Sequence, residues 1–295
     1  MTKLCLLSPA KVNHFLHIIG QRNDGYHLLQ TCFQFLDYGD ELSFELRDDS
    51  KIELLPEEVM AIPKTSNLIY RIAKAFAHAT GATRGITISV NKRLPIGTGL
   101  GGGSSNAATT LLALDALWGT NWSLNDLMAF GLSFGADIPI FIKGHASLAE
   151  GIGEQLTPVS LRERWLAVIL PPCQVITAKM YADSELTRNT PTFRIEALAK
   201  VDMTADVSEL RNDFELLVRR HYPEVDAAMK WLSNFGKPRL SGSGASVFAC
   251  FETEQLAKNV IEQLPTHLTG FVAKGVNKSP TVEAVNKVRF QLARA

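Results

Sequence analysis

The sequence predicts an α+β fold in two domains, residues 1–157 and 158–295. Strand-like segments crowd the start of the chain, a glycine-rich loop then runs into a helical stretch, and a break in periodicity precedes a second series of helices and strands. With 295 residues, 46% of them hydrophobic, the chain has enough apolar material for one large core or two ordinary ones.

In order, Val12 to Ile19 is a mostly apolar strand, and Leu42, Phe44 and Leu46 alternate with polar residues. The turn-like Arg47-Asp48-Asp49-Ser50 then leads to Lys51–Leu55, which predicts a hairpin. From Ser66 to Thr80, residues Leu68, Ile69, Ile72, Ala73 and Phe76 recur at helical spacing, and Gly81 can end that helix with a left-handed cap. Ile86 to Val90 alternates strictly, as a half-buried strand does. Periodicity is lost between Leu156 and Trp165, where the domain boundary is placed, before the apolar strand Leu166–Leu170. Helices follow around Asp213–Arg220 and Glu224–Phe235, then a strand at Ser246–Phe251 and a further helix and strand to Val276. Arg188–Phe193 and Lys200–Glu209 read as irregular surface connections.

Charge and cysteine content exclude several classes. Thirty basic residues balance thirty acidic ones, so no global field holds the chain on a nucleic acid or an anionic membrane. No membrane span or signal-peptide core is apparent, and the four single cysteines suit a reducing cytoplasm rather than a disulfide framework. A monomer or weak homodimer is expected, with no coiled coil in the pattern.

The strongest signal is Pro95-Ile96-Gly97-Thr98-Gly99-Leu100-Gly101-Gly102-Gly103-Ser104-Ser105, which has five glycines in seven positions. Glycine admits positive φ and removes the Cβ atoms that would keep backbone amides from an anion, so this loop can wrap phosphate oxygens. Ser104 or Ser105 is a good N-cap for the next helix, whose buried stripe would be Ala107, Leu111, Leu114 and Trp118. A Walker loop would carry lysine at a set place, which is absent, and a Rossmann loop would follow an early βαβ unit. A flexible glycine linker is the bland alternative, but linkers are not bounded by a strand and a capped helix.

These residues resemble the phosphate-binding motif of GHMP kinases, the superfamily of galactokinase and of homoserine, mevalonate and phosphomevalonate kinases. Two more segments match in order: Ser8-Pro9-Ala10-Lys11-Val12-Asn13, and Arg239-Leu240-Ser241-Gly242-Ser243-Gly244-Ala245. The resemblance implies the two-domain GHMP fold with the active site in the inter-domain cleft, and Mg2+ and ATP as cofactors. It assigns ATP binding to Pro95–Ser105, and catalysis to Lys11 and Asp137 as cation and proton acceptor. Taken alone, Asp137 reads first as the N-cap of a short helix carrying Pro139, and Lys11 as a surface lysine; the surrounding motifs reverse that reading.

Gly20-Gln21-Arg22-Asn23-Asp24-Gly25-Tyr26-His27 resembles the GxRxDGYH segment of the GHMP branch whose substrate is 4-diphosphocytidyl-2-C-methyl-D-erythritol. That likeness implies base contacts from Tyr26 and His27, a second stacking ring from Tyr181, and further substrate contacts from Asn13, Thr177, Gly242, Ser243 and Gly244. Without it, Tyr26-His27 is equally readable as a partly buried loop end. The implied reaction phosphorylates the 2-hydroxyl of that substrate; a homoserine or mevalonate type of kinase and a non-catalytic nucleotide-binding regulator are the alternatives. His14-x-x-His17 reads as structural, with His14 at most lining the cleft, because this spacing on a strand points the two rings to opposite faces. Asn106 stands where the resemblance suggests Asp, so the protein ligands of the magnesium ion are left unassigned.

Overall fold

The computed structural model describes residues 3–56, 63–192 and 210–292. Its spine is an antiparallel pair of long strands, β1 (Leu4–Gln21) and β2 (His27–Leu46). The register of this pair shifts between Pro9 and Lys11, between Asn13 and Leu16, and between Ile18 and Gly20. Such shifts re-aim side chains and release backbone groups from the ladder. At the first, the Lys11 amide donates to Leu100 O of the glycine-rich loop at 2.9 Å; beyond the second, the Leu16 amide donates to Arg211 O at 3.1 Å. The two interruptions dock the loops that build the cleft.

Next come β3 (Ile52–Leu55), α1 (Leu68–Thr80) and β4 (Ile86–Asn91). The predicted hairpin does not form: β4 lies between β2 and β3, antiparallel to β2 and parallel to β3. Gly85 decides this. Its amide donates to Asp49 O and accepts close backbone contact at Lys51, where any Cβ would lie 2.1 Å from Lys51 O. The chain after β2 is thereby tied to the strand entering from α1. That helix matches its prediction, with Asn67 as N-cap, Gly81 at φ 65°, and Ile69, Ile72, Ala73 and Phe76 buried.

α2 (Gly102–Trp118) departs from expectation in two ways. Its N-cap is Gly101 at φ 73°, so Ser104 and Ser105 lie inside the first turns and neither caps it. Its burial is not a stripe, since every residue from Ser105 to Ala116 is buried. α1, α3 (Leu124–Leu132), α4 (Ile138–Lys143), β1, β2 and the C-terminal α9 (Pro280–Leu292) all pack around it, which is the situation of a central helix.

β5 (Ser147–Glu150) and β6 (Gln155–Pro158) form a ribbon on the end of β2. Then follow β7 (Trp165–Leu170), α5 (Thr177–Ala182), α6 (Glu215–His221), α7 (Pro223–Leu232), β8 (Arg239–Leu240), β9 (Val247–Phe251), α8 (Glu254–Glu262) and β10 (Thr269–Val276). The predicted connection at Lys200–Glu209 and Phe193 lie outside the described residues. Strand order β3-β4-β2-β10-β7-β9-β8 makes the sheet continuous, because β10 pairs with both β2 and β7. One apolar cluster gathers α1 to α4 with Val285 and Val288 of α9; a second gathers β7, β9 and α5 to α8. Between them Val12, Leu36, Leu100, Val168 and Phe248 form a third.

Candidate active site

The glycine-rich loop closes against the second glycine loop, residues 241–246. Gly97, Gly99 and Gly101 all have φ between 73° and 77°. A Cβ on Gly99 would sit 2.2 Å from Ser241 O, so only glycine permits this approach. Ser241 Oγ donates to Gly99 O at 3.0 Å, and the Ser246 amide donates to Thr98 O at 3.0 Å. Asn212 braces the second loop, its Nδ2 donating to Leu240 O at 2.9 Å and to Gly242 O at 2.7 Å. Asp40, fully buried, braces the approach to the first: it accepts from the amides of Arg93 and Leu94, from Lys92 Nζ and from Asn106 Nδ2. The free amides at the start of α2 and its positive end face the same space, a setting suited to phosphate.

Lys11 and Asp137 meet where the two loops converge. Lys11 is 3% exposed, yet its Nζ lies 3.6 Å from Asp137 Oδ2 and donates to Asn13 Oδ1 at 2.5 Å. Asn13 Nδ2 in turn donates to Thr31 Oγ1 at 2.8 Å. The ammonium also stands 5.1 Å from the centre of the Phe33 ring. Burial pulls the Lys11 ammonium below its ordinary pKa, and the Asp137 charge and hydrogen bond oppose that pull. Asp137 occupies the N-cap position of α4 but makes no capping hydrogen bond, so its carboxylate is left to Lys11 and the cleft. The capping interpretation of Asp137 and the surface interpretation of Lys11 are therefore both corrected.

A cavity of about 550 Å³ extends from this point, a size typical of small-ligand sites. Its wall includes Lys11, Asn13, Asp137, Thr177, Tyr181, the stretches 95–99 and 101–104, and 242–244. Leu100 and Ser105 are not on it: Leu100 is buried in the third cluster, and Ser105 is buried with its hydroxyl receiving that of Ser8 at 2.8 Å. Thr177 and Ser243 hydroxyls share a hydrogen bond of 2.7 Å across the wall. Tyr181 has its hydroxyl pushed well above the ordinary range, by burial first and then by the Asp137 charge. His27 lies outside the wall and stacks on Tyr181, with ring centres 4.7 Å apart and planes at 27°. Tyr26 is not brought in, being 59% exposed beside the turn that Gly25 makes at φ 89°. His14 does not line this cavity; its Nε2 bonds Gln34 Oε1 at 2.7 Å, and it borders a smaller pocket with Arg239.

Several residues without a sequence signal also form the site. Lys92 lines it while anchored to Asp40, as does Asn106, which stands where the resemblance suggests Asp, and Thr31, Phe33 and Phe214 complete the wall around Asn13 and Tyr181. Asp40 and Asn212 act from beneath, far in sequence from what they hold, so no local pattern marks them.

Among the described residues, no helix is long and apolar enough to cross a membrane. The family described as GHMP kinases N terminal domain matches residues 67–145, and GHMP kinases C terminal matches residues 195–270. The 4-diphosphocytidyl-2-C-methyl-D-erythritol kinase of Marinobacter nauticus is 49% identical over 290 residues, covering 98% of this chain and 100% of the relative. A crystal structure of 4-(cytidine 5'-diphospho)-2C-methyl-D-erythritol kinase superposes with a TM-score of 0.80 at 31% identity, over 92% of this chain and 99% of that one. Homoserine kinase from Cytophaga hutchinsonii shares the fold, with a TM-score of 0.65 at 16% identity over 95% of this chain and 96% of that one. With both glycine loops, the Lys11–Asp137 pair and near-complete coverage in agreement, the chain belongs to the GHMP kinase family, in the group of 4-diphosphocytidyl-2-C-methyl-D-erythritol kinases.

Proposed function

We propose that the chain transfers the γ-phosphoryl group of ATP to the 2-hydroxyl of 4-diphosphocytidyl-2-C-methyl-D-erythritol, giving the 2-phosphate and ADP. The observation that carries this reading is the Lys11–Asp137 pair, 3.6 Å apart, at the junction of two glycine loops that can hold phosphate. Phosphoryl transfer asks a protein for positioning and charge stabilisation more than for covalent chemistry. Asp137 accepts the hydroxyl proton as general base. Lys11 stabilises the charge that develops on the attacking oxygen and fixes the carboxylate through its own anchorage on Asn13. The loops 95–105 and 242–244 present backbone amides to the polyphosphate. Tyr181, Thr177, His27 and Tyr26 belong to the cytidine end, with Tyr26 reaching the base from its exposed turn.

Among the described residues no group of three or more His, Cys, Asp or Glu converges as a metal site. Oxygen donors on the wall, Ser104 and Asp137 among them, fit a magnesium ion carried mainly by the nucleotide phosphates. When bound, the ion would neutralise charge on those phosphates. In the same reading the cleft lies between segments 1–157 and 158–295, and the enzyme acts in the cytoplasm as a monomer or weak homodimer.

The test is ADP release from Mg-ATP with the diphosphocytidyl substrate, homoserine and mevalonate as separate acceptors. Turnover on the first alone is expected. Turnover only on another acceptor would keep the kinase and discard the cytidine pocket, and ATP binding with no turnover on any would point to a regulator.

A further inference from the structure

Arg188 lies in the connection after α5, in a stretch that composition marks as a surface link, yet its guanidinium is committed to four acceptors. Nη1 donates to Leu186 O at 3.1 Å, Nη2 donates to Tyr181 O at 2.9 Å and Asp183 O at 2.8 Å, and Nε donates to His27 Nε2 at 3.1 Å. An arginine is always protonated and has no acceptor atom. The imidazole nitrogen that faces it must therefore offer a lone pair. The remaining proton of the neutral ring then sits on Nδ1, because the hydrogen bond at one nitrogen sets the state of the other. Stacking on Tyr181, which lines the cavity, fixes the plane in which that N–H lies.

We propose that Arg188 is a positioning residue that holds His27 as the neutral, Nδ1-protonated tautomer, so that the ring offers one fixed N–H donor to an acceptor atom on the substrate's pyrimidine base. The identity of that substrate rests on the function proposed above; the tautomer rests on the Arg188 contact alone. Burial first, and then the Arg188 charge, lower the pKa of His27. The other charged groups around it are engaged with one another: Arg22 pairs with Asp24 in the preceding turn, Asp183 with His221, and Glu185 with Arg220. Across the β1–β2 ladder His27 faces the uncharged Gln21. The ring consequently keeps its neutral form to lower pH than a free imidazole, and recognition of the base is less sensitive to acid.

Two measurements on the full chain test this. Nitrogen-15 spectra of the seven histidines, with His27 identified by the signal lost in His27→Asn, should show a neutral ring protonated on Nδ1 that takes up its second proton below the ordinary 6.5. An Nε2-protonated ring, or titration near the ordinary 6.5, would overturn the proposal. In Arg188→Met the ring should titrate at higher pH than in the unsubstituted chain, and KM for the diphosphocytidyl substrate should rise more steeply as pH falls from about 7.5 to 5.5 while KM for ATP holds. Arg188→Lys, which keeps a charge and a donor, should restore part of the shallower profile. If Arg188 only braces the 181–186 segment, KM rises by the same factor at every pH and the tautomer is unchanged, which also overturns it. The spectra need no turnover, so failure of the proposed reaction and failure of the tautomer assignment are read separately.

Discussion

At the scale of single residues, the site concentrates cost and function in the same atoms. Lys11 is a buried ammonium whose desolvation is only partly offset by a half-exposed carboxylate. Lys11→Met should therefore lower kcat by about a hundredfold or more while leaving stability equal or raised, by up to about 1 kcal/mol. Asp137→Asn should lower kcat by about 10²–10⁴ with KM for ATP unchanged, and should lose stability slightly because the lysine charge is left unpaired. Single-turnover kinetics with thermal denaturation separates the two. His14 makes an independent prediction. Burial is the largest cause of its low pKa of about 4, with the Arg239 charge also lowering it and the Gln34 hydrogen bond opposing. The unfolded chain takes up its proton near 6.5 and the folded chain near 4, so the contribution is fully present above pH 6.5 and is lost as pH falls toward 4. Stability should fall by up to about 1.4 kcal/mol per pH unit across that window from this group. His14→Gln should flatten the acid limb measured by urea denaturation; an unchanged limb would assign the loss elsewhere.

At the scale of elements, conformation separates glycines that look alike in the sequence. Gly99 has φ 77° and its Cβ would meet the backbone of the second loop, whereas the nearest atom to a Cβ on Gly103 is Leu68 Cδ1 at 3.9 Å. Gly99→Ala should cost about 2 kcal/mol or more and weaken ATP binding, through backbone strain and separation of the loops. Gly103→Ala, in the first turn of α2, should leave the folded state as stable or more so. Denaturation midpoints of the two variants check the contrast. Equal losses would mean that loop docking is not what Gly99 provides.

At the scale of the whole molecule, β2 is bordered by β1, β4, β5 and β10, and α9 returns from the end of the chain to the first apolar cluster. Arg289 of α9 pairs with the buried Asp115 of α2. The two halves consequently share one sheet and one set of contacts, and should unfold in a single transition. Trp118 and Trp122 report on the first cluster, Trp165 and Trp231 on the second. Variants keeping only one pair should give coincident urea curves by fluorescence and circular dichroism; two separated transitions would show that the β2–β10 junction couples them weakly.

Local chemistry in the sequence by itself determined α1 with its Gly81 cap, the strand at 86–90, and the glycine-rich loop with its positive-φ turns ahead of a helix, because each depends on spacing and backbone freedom within a few residues. The family motifs likewise named Lys11, Asn13 and Asp137, which the fold gathers within one cavity. Only the tertiary structure decided that β4 enters between β2 and β3, that α2 is buried all round, and that Gly101 rather than a serine begins it. It also decided that Asp40, Asn212 and Arg188 support the site from beneath and beside it. Strand order and side-chain bracing arise from contacts between residues far apart in the chain, and composition and periodicity are silent about which distant segments meet.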